Sequence, residues 1–282
     1  MDKISIINNF NYKNYFSYPF PFFYIDNAYD EKTYEHLKKD YTLFHDYLKK
    51  NPKYEQNNIR LQVSTEEFFN SKIFCSSIWN DFVQFHTSKF FFMKLFEIFR
   101  EDMKRIYPNI VDIVETKKNN ENFLNIRNDK NKNKFQFVAD CQPGINTPNL
   151  YKSSVRESHL DNSAELFAGL FYLRDDLDDS SGGNLQLMEV KKEKKASFHK
   201  KSLVKNQSDL NIFKEIKYEK NKVIFFLNTI DSIHSVSPRS VTNVPRNLTN
   251  IIFETYDKKN KLFSEYKKSQ NLISRIKNLI DM

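Results

Sequence analysis

A histidine and an aspartate one residue apart, His159 and Asp161 in Arg156-Glu-Ser-His-Leu-Asp-Asn162, are the residues of this 282-residue chain best suited to chemistry. A second histidine, His234, closes the run Phe225-Phe-Leu-Asn-Thr-Ile-Asp-Ser-Ile-His234. In an extended strand the side chains at i and i+2 leave the backbone on the same side, so His159 and Asp161 can converge on one ion. Two imidazoles and one carboxylate can hold one face of an octahedral metal and leave three adjacent positions open, which suits non-haem Fe(II). Taken alone, the His-x-Asp pair also reads as two surface residues at a strand end, because so short a spacing recurs by chance.

Other residues add to the pair. Arg246 opens the apolar run Arg-Asn-Leu-Thr-Asn-Ile-Ile-Phe253. A guanidinium at the start of a strand can hold a carboxylate bidentately, which a lysine does less specifically. Tyr172, in Leu170-Phe-Tyr-Leu-Arg174, can offer a hydroxyl to the same carboxylate. Arg239, in a Ser/Pro turn, is a competing basic residue. Gly182-Gly183, ahead of Asn-Leu-Gln-Leu, allows close backbone approach beneath the site.

The elements that must position these groups are read from periodicity. Residues 18–27 form an aromatic strand entering a turn. Asp30 is the N-cap of a helix running to about Leu48, and 65–69 and 77–107 are further helices. The last carries Trp79, Phe82, Phe85, Phe90, Phe91, Leu95 and Phe99, an apolar stripe suited to packing on a sheet. Residues 117–134 are polar and read as a loop or long hairpin connection. From there strands follow at 135–139, 165–173, 184–188, 223–228 and 247–256, a succession expected of an antiparallel double-sheet barrel. Residues 191–222 are charged and aperiodic, a solvated insertion or a mobile lid. The tail from Leu262 has apolar residues at helical intervals and can dock on the barrel or pair with a second copy in a homodimer.

Composition bounds the rest. With 44 Lys and Arg against 36 Asp and Glu, the formal charge is +8, which admits an acidic substrate or nucleic acid. No arginine-rich block interleaved with aromatics accompanies it, so nucleic acid is not expected. Aromatic side chains are abundant, 27 Phe and 15 Tyr, enough for a well-filled core. Cys75 and Cys141 form no C-x-x-C pair and read as reduced thiols. No signal-peptide pattern and no apolar run of membrane-spanning length is present, so a soluble, cytoplasmic protein with no membrane partner is expected.

His159-x-Asp161, Tyr172, Gly182-Gly183, His234 and Arg246, in this order, resemble the 2-oxoglutarate- and Fe(II)-dependent dioxygenases, in particular their prolyl 4-hydroxylase-like branch, over about residues 135–257. The resemblance implies a mainly β fold with added helices (α+β). Its core would be a double-stranded β-helix, a cupin-like jelly roll, packed by N-terminal helices and a C-terminal helix. The implied organisation is 1–134 as supporting strand and helices, 135–257 as the catalytic core with 191–222 inserted, and 258–282 as the terminal helix. It further implies His159, Asp161 and His234 as iron ligands and Arg246 and Tyr172 on the distal carboxylate of 2-oxoglutarate. Tyr151, eight residues before His159, is implied as another cosubstrate contact. Fe(II), 2-oxoglutarate, O2 and ascorbate are the implied cofactors, with succinate and CO2 released. The implied activity is hydroxylation of an unactivated C–H bond in a small molecule, sugar or protein side chain. Related halogenases lack the carboxylate ligand, so Asp161 points to hydroxylation. Two alternatives stand beside this reading. One is a cupin-like barrel that binds a metal or small ligand without catalysis. The other is a nucleic-acid demethylase, disfavoured because Ile252 stands where that branch carries a second arginine.

Overall fold

Two facing sheets and a helical layer arise from one feature of the larger sheet: both faces of its strands are apolar enough to be covered, one by helices and one by the smaller sheet. The computed structural model describes residues 2–71, 76–128, 130, 133–199, 202–256 and 262. Among these the helices are α1 (Glu31–Asp40), α2 (Thr42–Leu48), α3 (Thr65–Asn70), α4 (Ser77–His86), α5 (Lys89–Ile106) and α6 (Pro108–Lys117). The strands are β1 (Tyr15–Phe16), β2 (Phe22–Ile25), β3 (Arg60–Gln62), β4 (Leu124–Ile126), β5 (Phe137–Asn146), β6 (Glu165–Tyr172) and β7 (Leu185–Val190), followed by β8 (Phe198–His199), β9 (Leu203–Val204), β10 (Leu210–Ile216), β11 (Lys222–Leu227), β12 (His234–Val236) and β13 (Arg246–Glu254). The larger sheet runs β1-β2-β11-β6-β13-β5-β3, with β4 beside β5. The smaller runs β10-β7-β12, and β8 pairs β9. The architecture is mixed α+β.

The two-residue period of a strand divides the larger sheet. Odd-numbered side chains, among them Cys141, Phe167, Phe171, Phe225, Ile251 and Phe253, join the core cluster with the helices. Helix α5 presents Phe91, Phe92, Leu95, Phe96, Phe99 and Met103 at intervals of three and four. Phe92 meets Phe253 edge-on at 5.3 Å, and Phe99 stacks on Phe167 at 5.5 Å. Even-numbered side chains face the smaller sheet: Ala168, Ile224 and Phe226 cluster with Leu185, Leu187 and Ile216. The cavity that concerns us opens on this second face.

Several elements differ from the sequence reading. Asp30 does cap α1, accepting from Thr33 N at 3.0 Å, but the helix expected to reach Leu48 breaks at Tyr41. The Tyr41 hydroxyl lies 2.7 Å from Gly144 O and 2.6 Å from Leu248 O, pinning β5 to β13. The helix expected over 77–107 is two, because Ser88 Oγ accepts from Phe91 N at 3.2 Å and starts a new N-terminus. Strand β4 lies within the 117–134 stretch that reads as a polar connection, and helix α6 leads into it. The stretch 191–222 is not one insertion: β10 lies within it and pairs along β7, completing the smaller sheet. The C-terminal helix expected over 258–282 lies outside the described residues, as does Cys75, except that Leu262 packs against the core. No helix among the described residues is long and apolar enough to cross a membrane.

His86 is a core residue of α4 with a consequence for stability. Its Nδ1 faces Phe82 O at 2.7 Å and must donate, while its Nε2 accepts from Ile6 N at 3.2 Å. Desolvation pushes its pKa down to about 3. The unfolded chain therefore takes up a proton that the native state refuses as pH falls from about 6.5 towards 3. Stability should be fully present above that window and fall through it, by at most about 1.4 kcal/mol per pH unit for this one group. Urea melts of wild type and His86→Asn between pH 7 and 4 should show a shallower fall in the variant; parallel curves would remove His86 as the cause.

Candidate metal centre

His159 and His234 meet because their backbones form a reciprocal antiparallel pair: His159 N donates to His234 O at 2.9 Å and His234 N to His159 O at 3.0 Å. Their rings lie 4.3 Å apart between centroids. His159 Nδ1 is 2.7 Å from Glu157 O and His234 Nδ1 is 2.9 Å from Ser232 O. A carbonyl only accepts, so both Nδ1 atoms carry the proton and both Nε2 lone pairs are left for a ligand role. Asp161, two residues along from His159, places Oδ1 3.4 Å from His159 Nε2 and Oδ2 3.4 Å from His234 Nε2. One ligand atom from each residue falls within 4.8 Å of the others.

The electrostatics suit a cation. Burial alone would raise the pKa of Asp161, but His234, His159 and Arg156 outweigh it and hold the carboxyl below the usual range. Desolvation takes His234 down to about 4 against the pull of Asp161. A carboxylate and a neutral imidazole are the protonation states a metal ligand needs. Two nitrogens and one oxygen, on one side of a concave site, fit a divalent transition metal with open positions.

Arg246 begins β13 on the cavity face of the larger sheet and is 1% exposed. Its Nε donates to Gly183 O at 3.0 Å, and its guanidinium lies 4.9 Å from the Tyr172 ring and 4.7 Å from the Tyr218 ring. Nη1 and Nη2 are buried without a hydrogen-bond partner, as are the Tyr172 hydroxyl and both side-chain polar atoms of Asn146, the register partner of Arg246. A buried guanidinium without an anion is costly, and a carboxylate is the group that would satisfy its two parallel N–H bonds. Arg239 differs: its Nη2 is 2.9 Å from Asp178 Oδ2, and its Nε donates to Ser180 Oγ at 2.7 Å. It serves the structure, whereas Arg246 faces the cavity with two unused nitrogens.

The Gly182-Gly183 turn makes this approach possible. Gly182 has φ +78°, and a Cβ there would lie 2.0 Å from Pro238 O. Gly182→Ala is expected to cost about 1–3 kcal/mol in urea denaturation; an unchanged midpoint would mean that the turn relaxes freely.

The cavity has a volume of about 310 Å³. Besides the three candidate ligands and Arg246, its polar lining comprises Arg60, Gln62, Arg127, Gln142, Arg156, Glu165 and Asn250. Gln62 Nε2 donates to Gln142 Oε1 at 2.8 Å, Gln142 Nε2 to Asp140 Oδ2 at 2.6 Å, and Arg127 pairs with Asp140 at 2.5 Å. Tyr151 is not part of it. That side chain is 63% exposed and its backbone N–H donates to Asn57 Oδ1, because the segment after β5 leaves the sheet before reaching it. The expectation that Tyr151 contacts a cosubstrate is therefore corrected.

Sequence reading missed Tyr218, Asn146 and Arg60. The polar positions of β5, Asp140, Gln142 and Asn146, alternate with Ala139, Cys141 and Ile145, and that period of two was a readable signal for Asn146. No local signal marks Tyr218 or Arg60. The other histidines stand apart: His86 is in the core, and His45 Nε2 is 2.6 Å from Asn247 Oδ1.

No protein-family model and no curated protein sequence matches the chain. Among solved structures it is similar to a prolyl 4-hydroxylase from Phytophthora capsici, at 12% identity and TM-score 0.45, covering 91% of this chain but only 64% of that one. It is also similar to a prolyl hydroxylase from Trichoplax adhaerens, at 12% identity and TM-score 0.40, covering 86% of this chain and 87% of that one. The viral collagen prolyl hydroxylase of Paramecium Bursaria Chlorella virus-1 follows at 12% identity and TM-score 0.37, covering 84% and 96%. These three solved structures are prolyl hydroxylases, and with TM-scores below 0.5 the weight of a functional reading rests on the site itself.

Proposed function

We propose that this protein is an Fe(II)- and 2-oxoglutarate-dependent oxygenase that hydroxylates an unactivated C–H bond of a small molecule, sugar or protein side chain. One observation carries the reading: a facial His-Asp-His donor set and a buried, unpartnered guanidinium open on the same cavity. The winding of the chain supports it. From β5 the path goes to the His159 segment beside β12, back to β6, across to β7 and β10, and then β11, β12 and β13 alternate between sheets. A chain wound as a double-stranded β-helix would take such a course, and this supports reading the core that way.

When bound, iron and 2-oxoglutarate supply the oxidising chemistry: 2-oxoglutarate and O2 become succinate and CO2, and one oxygen atom ends as the product hydroxyl. The side chains hold and orient. His159 and His234 are fixed in one tautomer by Glu157 O and Ser232 O, and Asp161 supplies the negative charge. Arg246 and Tyr172 would take the distal carboxylate of the cosubstrate, with Tyr218 closing the other face of the guanidinium. Leu170, Leu185, Phe226, Val236 and Ile252 line the cavity and keep the reacting position poor in water.

The test is succinate formation by the purified protein with 2-oxoglutarate, Fe(II) and ascorbate in air, with and without candidate substrates. Succinate that depends on both protein and Fe(II) is expected even without substrate. Metal binding with no succinate under any condition would make the barrel a binding module instead.

A further inference from the structure

We propose that Arg60 recognises an anionic group, a carboxylate or a phosphate, on the molecule that this site acts on. The proposal deepens the oxygenase reading and rests on it for the word substrate, but the anion subsite is testable by itself. Arg60 lies on β3, the edge strand of the larger sheet. It pairs in register with Asn146, which pairs on its other side with Arg246. One strand, β5, lies between the two arginines, so two strand spacings put their backbones about 10 Å apart on one face of the sheet. Both line the same cavity.

The cations of this cavity are not equally satisfied. Arg127 is held by Asp140 at 2.5 Å and Glu254 at 3.3 Å. Arg156 lies 3.5 Å from Asp161. Arg246 is matched to one carboxylate under the proposed function. Arg60 alone of the four has neither an ion pair nor a hydrogen bond from its side chain among the described residues, and burial and the charges of Arg246 and Arg156 oppose its own, with Asp161 pulling the other way. The remaining acidic group, Glu165, does not serve it: burial, then Asp161 and Glu254, raises its pKa well above the usual range. Asp161 and a dianionic cosubstrate would offset a divalent metal and Arg246, so the loaded site leaves Arg60 uncompensated, together with Arg156 once Asp161 serves the metal. Arg60 lines the cavity and its residue is solvent-exposed, so a ligand can reach its planar fork, and a bidentate carboxylate or phosphate is the partner that fork fits.

The experiment titrates inorganic phosphate and acetate, separately, into protein loaded with Mn(II) and 2-oxoglutarate under anaerobic conditions, so that Arg246 is engaged and no turnover occurs. At least one anion should bind, and Arg60→Gln should weaken it tenfold or more, with Arg60→Lys falling between. The tighter of the two identifies phosphate or carboxylate as the recognised group. Anion binding that is absent in wild type, unchanged in Arg60→Gln, or lost in Arg156→Gln instead would overturn the proposal. So would an equal loss of 2-oxoglutarate affinity in Arg60→Gln, which would assign Arg60 to the cosubstrate. The oxygenase reading stands or falls separately, on succinate formation by wild type.

Discussion

His159→Ala, Asp161→Ala and His234→Ala should each weaken divalent-metal binding by more than about 100-fold and abolish succinate formation, while leaving the fold intact. Loss of an outer hydrogen-bond partner of a metal ligand alone costs about 10–100-fold, so loss of a ligand should cost more. The fold survives because the two histidines are joined through backbone atoms, which the substitutions keep. Outside the donor set itself, their side chains contribute the Nδ1 bonds to Glu157 O and Ser232 O and the contact of His234 with Phe226. Thermal melts with and without Mn(II) separate the effects. Wild type should gain stability by mass action, about 2.7 kcal/mol at a metal concentration 100 times Kd, whereas the variants should gain almost none. A variant that keeps the metal-dependent gain would lose its place among the ligands.

Arg246→Ala and Arg239→Ala should fail in different ways. Arg246→Ala removes a cation whose two terminal nitrogens have no protein partner. It should raise the concentration of 2-oxoglutarate needed for half-maximal succinate formation by about 100-fold, the worth of one or two charge-assisted hydrogen bonds. Its stability should change little or improve, since the variant no longer buries an unmatched charge. Arg239→Ala breaks a buried pair with Asp178, whose side chains are 1% and 0% exposed, and leaves the carboxylate with only Arg174 at 3.5 Å and the hydrogen bonds from Ser180. It should cost about 3–5 kcal/mol in urea denaturation, with the 2-oxoglutarate requirement of the folded fraction near that of wild type. If the cosubstrate requirement rises in Arg239→Ala and not in Arg246→Ala, the roles of the two arginines are reversed.

The local features were legible because their causes are local. Asp30 caps a helix whatever surrounds it, since its carboxylate reaches Thr33 N within one turn. The apolar stripe of α5 follows from 3.6 residues per turn. The helix breaks at Tyr41 and Ser88 were harder to see. Tyr41 is tied to carbonyls of β5 and β13 distant in sequence, and the cap at Ser88 falls inside an otherwise continuous apolar pattern. Strand β10 was hidden by its polar positions: Asn211, Lys214 and Glu215 are exposed or half-exposed, and the strand needs only one covered face.

For the site, the sequence by itself determined the donor chemistry: His159 and Asp161 share a side because of the two-residue strand period, and the order of His234 and Arg246 narrows the class. Only the tertiary structure decided which side chains converge. It brings His159 opposite His234 through backbone pairing, commits Arg239 to Asp178 and leaves Arg246 unmatched. It also sends Tyr151 to the surface and carries Arg60 from the N-terminal region into the cavity by way of β3. The physical reason is common to all five. Ion pairing and burial depend on what long-range strand pairing brings near, and an isolated residue's type and spacing hold no record of its partners.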